Sequence, residues 1–167
     1  MCLLSFSSFG QQKLYKIKNV KYLGKVIGLK QLDFGFIKKD YDTLIIKTVS
    51  GSKTEDSENE NFLCLSQQFT DRLNEVYLTA AETSTILKGV KLILKETPGW
   101  TEDLDDHVIF TRSIFYSNDY FEVGFSPHRD FSLTLYVGGK RPNPEELVLD
   151  KQATQSLVKI LESAKLQ

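Results

Sequence analysis

The sequence lacks the residue groupings on which most recognisable catalytic and metal sites depend. It contains two cysteines and two histidines in 167 residues, it has no Cys-x-x-Cys pair, and neither Cys2 nor Cys64 lies near a histidine in the sequence. A zinc site or a disulfide framework is therefore not expected. The sequence has no Gly-x-Ser-x-Gly motif, and Gly24-x-x-x-Gly28 lacks the lysine that a phosphate loop requires.

The sequence also has no long apolar segment and almost no net charge. Nothing in it approaches the roughly 20 apolar residues that a membrane-spanning helix needs, and its formal net charge is -1. This charge creates no overall field that favours nucleic acid or an anionic membrane. A chain with 41% hydrophobic and 11% aromatic residues is long enough to bury one core, or two small halves packed together.

Charge is unevenly distributed along the chain. Residues 1–50 contain nine lysines and three acidic residues, residues 51–106 contain five basic and twelve acidic residues, and residues 107–167 contain seven of each. The basic segment is either a binding face or a set of lysines that alternate with apolar residues along exposed strand edges, where they discourage aggregation. The second interpretation is the ordinary one for a charge run.

The first ten residues predict an export signal. Residues 1–11 are apolar and uncharged, and the small residues Ser8 and Gly10 are typical of a signal-peptidase site with cleavage before Gln11. The Ser-Phe-Gly-Gln ending is similar to export signals common in Bacteroidetes-type bacteria. Because a positive n-region is missing and the apolar stretch is short, we expect residues 1–10 to be the end of a longer signal peptide. The alternative is a buried N-terminal strand in a cytoplasmic protein.

Two amphipathic helices with N-terminal caps follow runs of predicted strands. Thr79 and Glu82 form a capping-box pattern ahead of a helix predicted over residues 80–96, and Asp150 is a good N-cap for a final helix. We therefore predict an α+β fold with antiparallel sheets, each followed by one capped helix.

The two halves of the chain resemble each other. We assign residues 11–97 to the first half and residues 107–167 to the second, packed together as one domain. At an offset of 71 residues, Tyr77-Leu78-Thr79 aligns with Val148-Leu149-Asp150, and Ile86 aligns with Leu157. The similarity predicts a duplicated β-β-β-α unit, although capped amphipathic helices also resemble one another by chance.

The apolar periodicity predicts which side chains face the sheets. Six helix residues are expected to do so: Ile86, Val90, Ile93, Leu157, Ile160 and Leu161. Cys64, which lies between two leucines, is expected to be a small buried residue. In the first half, residues 39–42 predict a turn between two strands of a hairpin, and residues 50–61 predict a mobile polar loop.

No residue is assigned a catalytic, cofactor-binding or metal-binding role, and no cofactor is expected. His107 follows Asp105 and Asp106, which is compatible with a metal site, but an acidic loop of this kind is ordinarily solvated. The acidic residues in 102–106 lack the glycine and the spacing of an EF-hand calcium loop. His128 lies in a proline-containing turn, where we expect it to be solvated.

The second half is rich in aromatic residues. They are Tyr116, Tyr120, Phe121, Phe125 and Tyr136. With Arg112, Arg129 and Arg141 nearby in the sequence, these rings have the chemistry to stack on bases or sugars. The alternative is that they form the core face of a sheet with cross-strand aromatic pairs.

Residues 120–125, 131–136 and 147–150 and the final helix, together with the signal-like start, resemble small uncharacterised exported proteins of Bacteroidetes-type bacteria. The resemblance covers about the last third of the chain and carries no catalytic residue. Separately, the plan of strands followed by a helix, repeated once, resembles the Whirly and Pur single-strand-binding folds. That second resemblance is one of architecture, which does not establish function.

Three functions follow from these observations. The favoured one is an exported protein, periplasmic or extracellular, that has no enzymatic activity and binds a protein or a glycan of the envelope or the extracellular space. The second is a cytoplasmic module that binds single-stranded nucleic acid through the lysine-rich first strands and the sheet aromatics, although export argues against it. The third is an enzyme of an unfamiliar type. The partner and the oligomeric state are left open by the sequence.

Overall fold

In the computed structural model of the protein, four strands followed by a helix occur twice in succession. The structure describes residues 16–32, 37–52, 58–68, 73–96, 113–118, 120–127, 131–137 and 145–166. The first half contains β1 (Lys16–Leu32), β2 (Ile37–Ser52), β3 (Glu60–Gln68), β4 (Leu73–Leu78) and α1 (Ala80–Glu96). The second half contains β5 (Ser113–Ser117), β6 (Phe121–Pro127), β7 (Phe131–Val137), β8 (Glu145–Leu149) and α2 (Lys151–Ser163).

All eight strands belong to one antiparallel sheet in the order β4-β3-β2-β1-β8-β7-β6-β5. β1 joins the halves, because it pairs with β2 along most of its length and with β8 over residues 29–32. The α+β class predicted from the sequence is therefore confirmed. The prediction of separate sheets is wrong, because β1 pairs with β8, which is far away in the sequence. The prediction of three strands in each half is also wrong, because the short strand β4 was not predicted.

Both helices begin at the caps that the sequence predicts. In α1, the Thr79 N–H donates to Glu82 Oε2 at 2.8 Å, and the Glu82 N–H donates to Thr79 Oγ1 at 3.3 Å. In α2, the Ala153 N–H donates to Asp150 Oδ1 at 2.7 Å. These bonds satisfy amide groups that the first turn of a helix otherwise leaves unpaired.

The two helices cover one face of the sheet, and the core lies between them and the strands. A single cluster of apolar side chains draws on both halves and both helices. All six helix residues predicted to face the sheet belong to it, four of them buried and two partly buried. Cys64 is buried as well. These predictions are confirmed, and the two halves share one interior.

The hairpin turn predicted at residues 39–42 is wrong, because β2 is continuous from Ile37 to Ser52. The Asp42 carboxylate is satisfied inside the strand. The Thr43 N–H donates to Asp42 Oδ1 at 2.7 Å, and Gln67 Nε2 on β3 donates to Asp42 Oδ2 at 2.7 Å. An aspartate that favours a turn in isolation is thus held in a strand by a side chain from the neighbouring strand.

The polar loop predicted over residues 50–61 is also wrong at both of its ends. Residues 50–52 continue β2, and residues 60 and 61 begin β3. The Ser52 side chain is fully buried. Pairing between β2 and β3 extends to Gly51 and Glu60, so the sheet incorporates residues whose composition predicts a loop.

Several sequence predictions concern residues outside those that the structure describes. They are the signal-like segment 1–11, the acidic residues in 102–106, His107, His128, Arg112, Arg129 and Arg141. What the sequence predicts for them stays a prediction. Neither helix in the described part of the chain is long and apolar enough to cross a membrane.

Candidate binding surface

The sheet face that points away from the helices carries a row of side chains across the first four strands. Because side chains alternate along a strand, the residues between the buried core positions of β1 to β4 point to this outer face. Tyr22, Lys47, Cys64 and Tyr77 are successive Cα partners from β1 to β4. We call these four residues the outer row.

A carboxylate beside the outer row links two of its members. The Tyr77 hydroxyl donates to Glu75 Oε2 at 2.7 Å, and Lys47 Nζ lies 3.5 Å from Glu75 Oε1. The side chains of Lys47 and Glu75 are 27% and 25% exposed. An ammonium group and a carboxylate are therefore held side by side where a ligand on the outer face can reach both.

The Cys64 thiol in the outer row is not poised as a nucleophile. Burial, followed by the nearby charge of Glu75, raises the pKa of the thiol to about 12, and a thiol reacts through its thiolate. Burial also raises the pKa of the Tyr77 hydroxyl well above its ordinary value. Both groups stay protonated at physiological pH, so the row contains no reactive anion at these two positions.

Exposed aromatic and aliphatic side chains run along β1 and β2 on the same outer face. Val20, Tyr22, Ile27 and Tyr41 are 56%, 58%, 51% and 74% exposed, and we call them the β1–β2 stripe. The stripe extends along β1 from Val20 to Leu29, which is the Cα partner of Tyr41. At about 3.3 Å per residue, this distance is roughly 30 Å. Clustered exposed apolar surface of this kind commonly marks an interaction site.

Lysines accompany the stripe on β1, which contains five lysines and no acidic residue. Lys18, Lys21 and Lys25 are exposed, and Lys25 pairs with Ile45 on the outer face between the levels of Tyr22 and Ile27. Among the described strands, residues 16–28 of β1 pair with β2 alone. These lysines therefore lie along a strand edge, as the ordinary interpretation of the basic segment predicts.

The second half carries different side chains at the positions equivalent to the outer row. The ladders of the two halves correspond, since Leu63 pairs with Leu78 in the first and Leu133 pairs with Leu149 in the second. In this register the outer row matches Ile114, Gly124, Thr134 and Val148. The second half thus forms a ladder of four strands without tyrosine, lysine or cysteine at these positions.

Four of the five aromatic residues singled out in the second half belong to the core. Phe121 and Phe125 are buried in it, and the half-buried Tyr116 and Tyr120 pack against it. The Tyr116 and Phe121 rings pack with their centroids 6.1 Å apart. Tyr136 is also buried, but it alternates with the core residues Leu135 and Val137 and lies outside the core cluster. The interpretation of the rings as a core face is confirmed for the first four.

Sequence reasoning missed Tyr22 and Tyr41 as candidate site residues. For Tyr41 the available signal is alternation, because it lies three residues from the buried Leu44 on the same strand. Tyr22 lies four residues from the buried Val26, and it reaches the outer face only through the register shift between Tyr22 and Gly24, which the sequence does not reveal. Tyr41 was missed because the turn predicted at residues 39–42 includes it, so no strand face was assigned to it.

A second polar cluster, around Glu82, fastens the start of α1 to β5. The Tyr116 hydroxyl donates to Glu82 Oε1 at 2.9 Å, and Asn118 Nδ2 donates to the Tyr116 hydroxyl at 3.3 Å. Burial acts to raise the pKa of Glu82, but hydrogen bonds from Thr79, Tyr116 and Asn118 outweigh it and hold that pKa below its ordinary value. Burial and the Glu82 carboxylate raise the pKa of Tyr116 to about 12. The cluster therefore joins the two halves.

The described residues offer little that would hold a metal or a small substrate. Within the described ranges, no group of three or more histidine, cysteine, aspartate or glutamate side chains is placed to hold a metal ion. A void in the core between the two halves is lined by apolar side chains and Thr83. The lining of this void has no titratable group, so the outer face is the better candidate for function.

No protein-family model matches the chain, and no curated protein is significantly similar to it.

Proposed function

We propose that this protein is a non-enzymatic binding protein that holds an extended partner on the outer face of its first four strands. The observation that carries the proposal is the difference between the two halves at equivalent sheet positions. Tyr22 corresponds to Ile114, and Lys47 corresponds to Gly124. Both halves form corresponding ladders, and a binding role accounts for the side chains that the first half alone carries at these positions.

The chemistry of this surface supports binding rather than catalysis. Cys64 and Tyr77 stay protonated because their pKa values are raised, whereas a catalytic nucleophile or base requires a pKa matched to its task. The exposed tyrosines belong to a residue type that is enriched in binding surfaces and dominates their energetics. An enzyme of an unfamiliar type is therefore the less favoured alternative.

We propose export as the setting of this function, on the basis of residues 1–10 alone. The partner is then a protein or a glycan of the envelope or the extracellular space. Intact mass and cell fractionation of the protein expressed from its own gene, with the upstream sequence included, test this proposal. A mature chain that begins at Gln11 outside the cytoplasm supports it, and a cytoplasmic chain that retains Met1 contradicts it.

Site-specific photocrosslinking in the native cell tests the binding surface. A benzophenone amino acid is placed at Tyr22 or Tyr41 and, as controls, at Leu92 or Ile114, which are 58% and 53% exposed but lie outside the outer row and the stripe. We expect position-specific adducts from residues 22 and 41 and none from residues 92 and 114. Equal adducts at all four positions, or none at 22 and 41, contradict the proposal.

A second candidate function, binding of single-stranded nucleic acid in the cytoplasm, is favoured by one observation. The exposed Lys25 of β1 accompanies exposed Tyr22 and Tyr41 on the outer face. Proteins that bind single strands combine a basic track for the phosphates with aromatic platforms for the bases. The proposal that the protein is exported counts against this candidate.

Fluorescence anisotropy with a labelled oligothymidylate tests the second candidate. Phosphate binding releases counterions, so the affinity must fall steeply with salt. Replacing Lys25 by glutamine is expected to weaken binding and to reduce the slope of affinity against salt. Absent binding, or binding that does not depend on salt, excludes this candidate.

We further propose that the two halves arose by duplication of a unit with four strands and one helix. The support is that buried helix positions recur at the offset of 71 residues. They are Thr83, Ile86 and Val90 in α1 and Thr154, Leu157 and Leu161 in α2. The matching ladders of the strands support the same proposal.

A further inference from the structure

We infer that the extended partner is a polysaccharide containing uronic acids, which lies along the β1–β2 stripe. This inference rests on the proposed binding function and names its ligand. Its basis is the combination, on one face, of exposed tyrosine rings, the Lys47–Glu75 pair, whose lysine is the Cα partner of Tyr22, and Lys25, which lies along β1 between the two rings.

The tyrosines supply platforms at two levels of the stripe. Tyr22 is the Cα partner of Lys47, and Tyr41 is the Cα partner of Leu29. Along β1, Lys25 and Ile27 lie between Tyr22 and Leu29. A sugar ring has an apolar face of C–H groups and a hydroxylated rim. A tyrosine in turn has an apolar ring and a polar tip that stays in water. A linear chain of sugars can stack on both rings at once, which a single small ligand cannot do.

The Lys47–Glu75 pair distinguishes a sugar from a phosphate chain. Sugar hydroxyls both donate and accept hydrogen bonds, so neighbouring hydroxyls match an ammonium and a carboxylate held 3.5 Å apart. A phosphate oxygen only accepts at neutral pH, and the Glu75 carboxylate repels its charge at short range. The Glu75 carboxylate, held against Lys47 on the same face, therefore favours a hydroxylated ligand over a nucleic acid.

The charge of β1 specifies an acidic sugar rather than a neutral one. Lys25 is exposed on the outer face, and its strand contains no acidic residue. A polysaccharide with carboxylates at intervals presents its negative charge to Lys25 and its neutral hydroxyls to the Lys47–Glu75 pair. A nucleic acid carries a charge on every unit and cannot place a neutral segment beside Glu75.

Affinity electrophoresis of the full chain tests the inference. The native gels contain polygalacturonate, alginate or hyaluronate, and a neutral β-glucan serves for comparison. We expect at least one uronic-acid polymer, but not the glucan, to retard the protein. Tyr22→Ala and Tyr41→Ala should each raise Kd by about tenfold or more, Tyr22→Phe should retain binding because it retains the ring, and Ile114→Ala should bind as the unaltered protein does.

The substitution Glu75→Gln separates the two ligand classes by the sign of its effect. Binding to the polysaccharide should weaken, because an ionised acceptor for sugar hydroxyls is lost. If the ligand is instead a nucleic acid, Glu75→Gln should tighten binding to oligothymidylate, because a repulsive charge is lost. The unfolding midpoint of each variant is measured first, so that a loss of binding is not confused with a loss of folding.

Three outcomes overturn the inference. They are no retardation by any of the uronic-acid polymers, an equal effect of Ile114→Ala and Tyr22→Ala, and salt-dependent oligothymidylate binding that Glu75→Gln strengthens. Photocrosslinked adducts at residues 22 and 41 without polysaccharide binding would leave the binding surface intact and remove the polysaccharide. If neither photocrosslinked adducts nor polysaccharide binding is found, the proposed function is overturned as well.

Discussion

The Phe115 ring on β5 occupies the space beside Gly89 on α1 that a side chain at residue 89 would need. The ring atoms Cδ2 and Cε2 lie 2.6 Å from the position of an added Cβ. The converse contact occurs between α2 and β1, where Ile160 Cδ1 lies 2.8 Å from the Cβ position of Gly24. Gly89 and Ile160 are 71 residues apart. Each helix thus packs on the first strand of the other half, with the large and the small residue exchanged.

Gly89→Ala should destabilise the protein by about 1 kcal/mol, although alanine favours a helix over glycine by a similar amount. Overpacking against Phe115 costs typically 1–3 kcal/mol and exceeds that gain. In a Phe115→Ala background the same change should be stabilising, because the conflicting ring is gone. Urea denaturation of the four proteins of this double-mutant cycle measures the reversal. Stabilisation by Gly89→Ala in the unaltered chain would contradict the contact.

Leu157→Ala should lower the free energy of unfolding by about 2–5 kcal/mol, as expected for a leucine lost from a packed interior. Leu157 is 2% exposed and belongs to the shared core. Gln155→Ala on the exposed face of the same helix is the matched control and should change stability by less than about 0.5 kcal/mol. An effect of Leu157→Ala within error would mean that α2 is not docked on the sheet.

Stability should fall in acid through Glu82. Its pKa is lower in the folded protein than its ordinary value, because hydrogen bonds from Thr79, Tyr116 and Asn118 favour the ionised carboxylate. The contribution of Glu82 to the free energy of unfolding is therefore complete above the ordinary glutamate pKa of about 4.3. It is lost as the pH falls through the lower pKa that Glu82 has in the folded protein.

Unfolding curves from neutral pH down to about pH 3 measure this effect. Glu82→Gln should lose less stability over that range than the unaltered protein. Tyr116→Phe, which removes one donor to Glu82 and keeps the ring, should give an intermediate dependence. Identical pH dependence in all three proteins would show that the cluster around Glu82 does not favour the ionised form.

Cys64 should react slowly with thiol reagents in the folded protein. The pKa of its thiol is raised to about 12 by burial and by Glu75, so little thiolate exists at mildly alkaline pH. A Cys2→Ser background leaves Cys64 as the one thiol in the chain. Reaction with a disulfide reagent is expected to be slow in buffer and rapid in urea. Equally rapid reaction in both would show that Cys64 is accessible in the native state.

Both helices and their caps are predictable from the sequence because their signals are local. Thr79, Glu82 and Asp150 lie within one turn of the amides that they cap, and the apolar period marks the buried side of each helix. The single sheet is not predictable in this way, because the β1–β8 ladder joins residues 29–32 to residues 145–148. The continuity of β2 also depends on a distant contact, the hydrogen bond from Gln67 to Asp42.

The candidate site was harder to predict than the fold. The sequence draws attention to the aromatic residues of the second half, of which Tyr116, Tyr120, Phe121 and Phe125 belong to the core or pack against it. The outer row becomes visible only when four strands are aligned, because Tyr22, Lys47, Cys64 and Tyr77 are far apart in the sequence. Comparison with the second half, which carries other side chains at these positions, also requires the register.

The pairing of β1 with β8 has a consequence for biosynthesis. β1 ends at Leu32 and β8 begins at Glu145, so β1 leaves the ribosome well before the strand with which it completes the sheet. During synthesis its open edge is a template for pairing with other chains. The lysines of β1 are placed to discourage that pairing, and a chain that stops before residue 145 would keep its first half permanently open to aggregation.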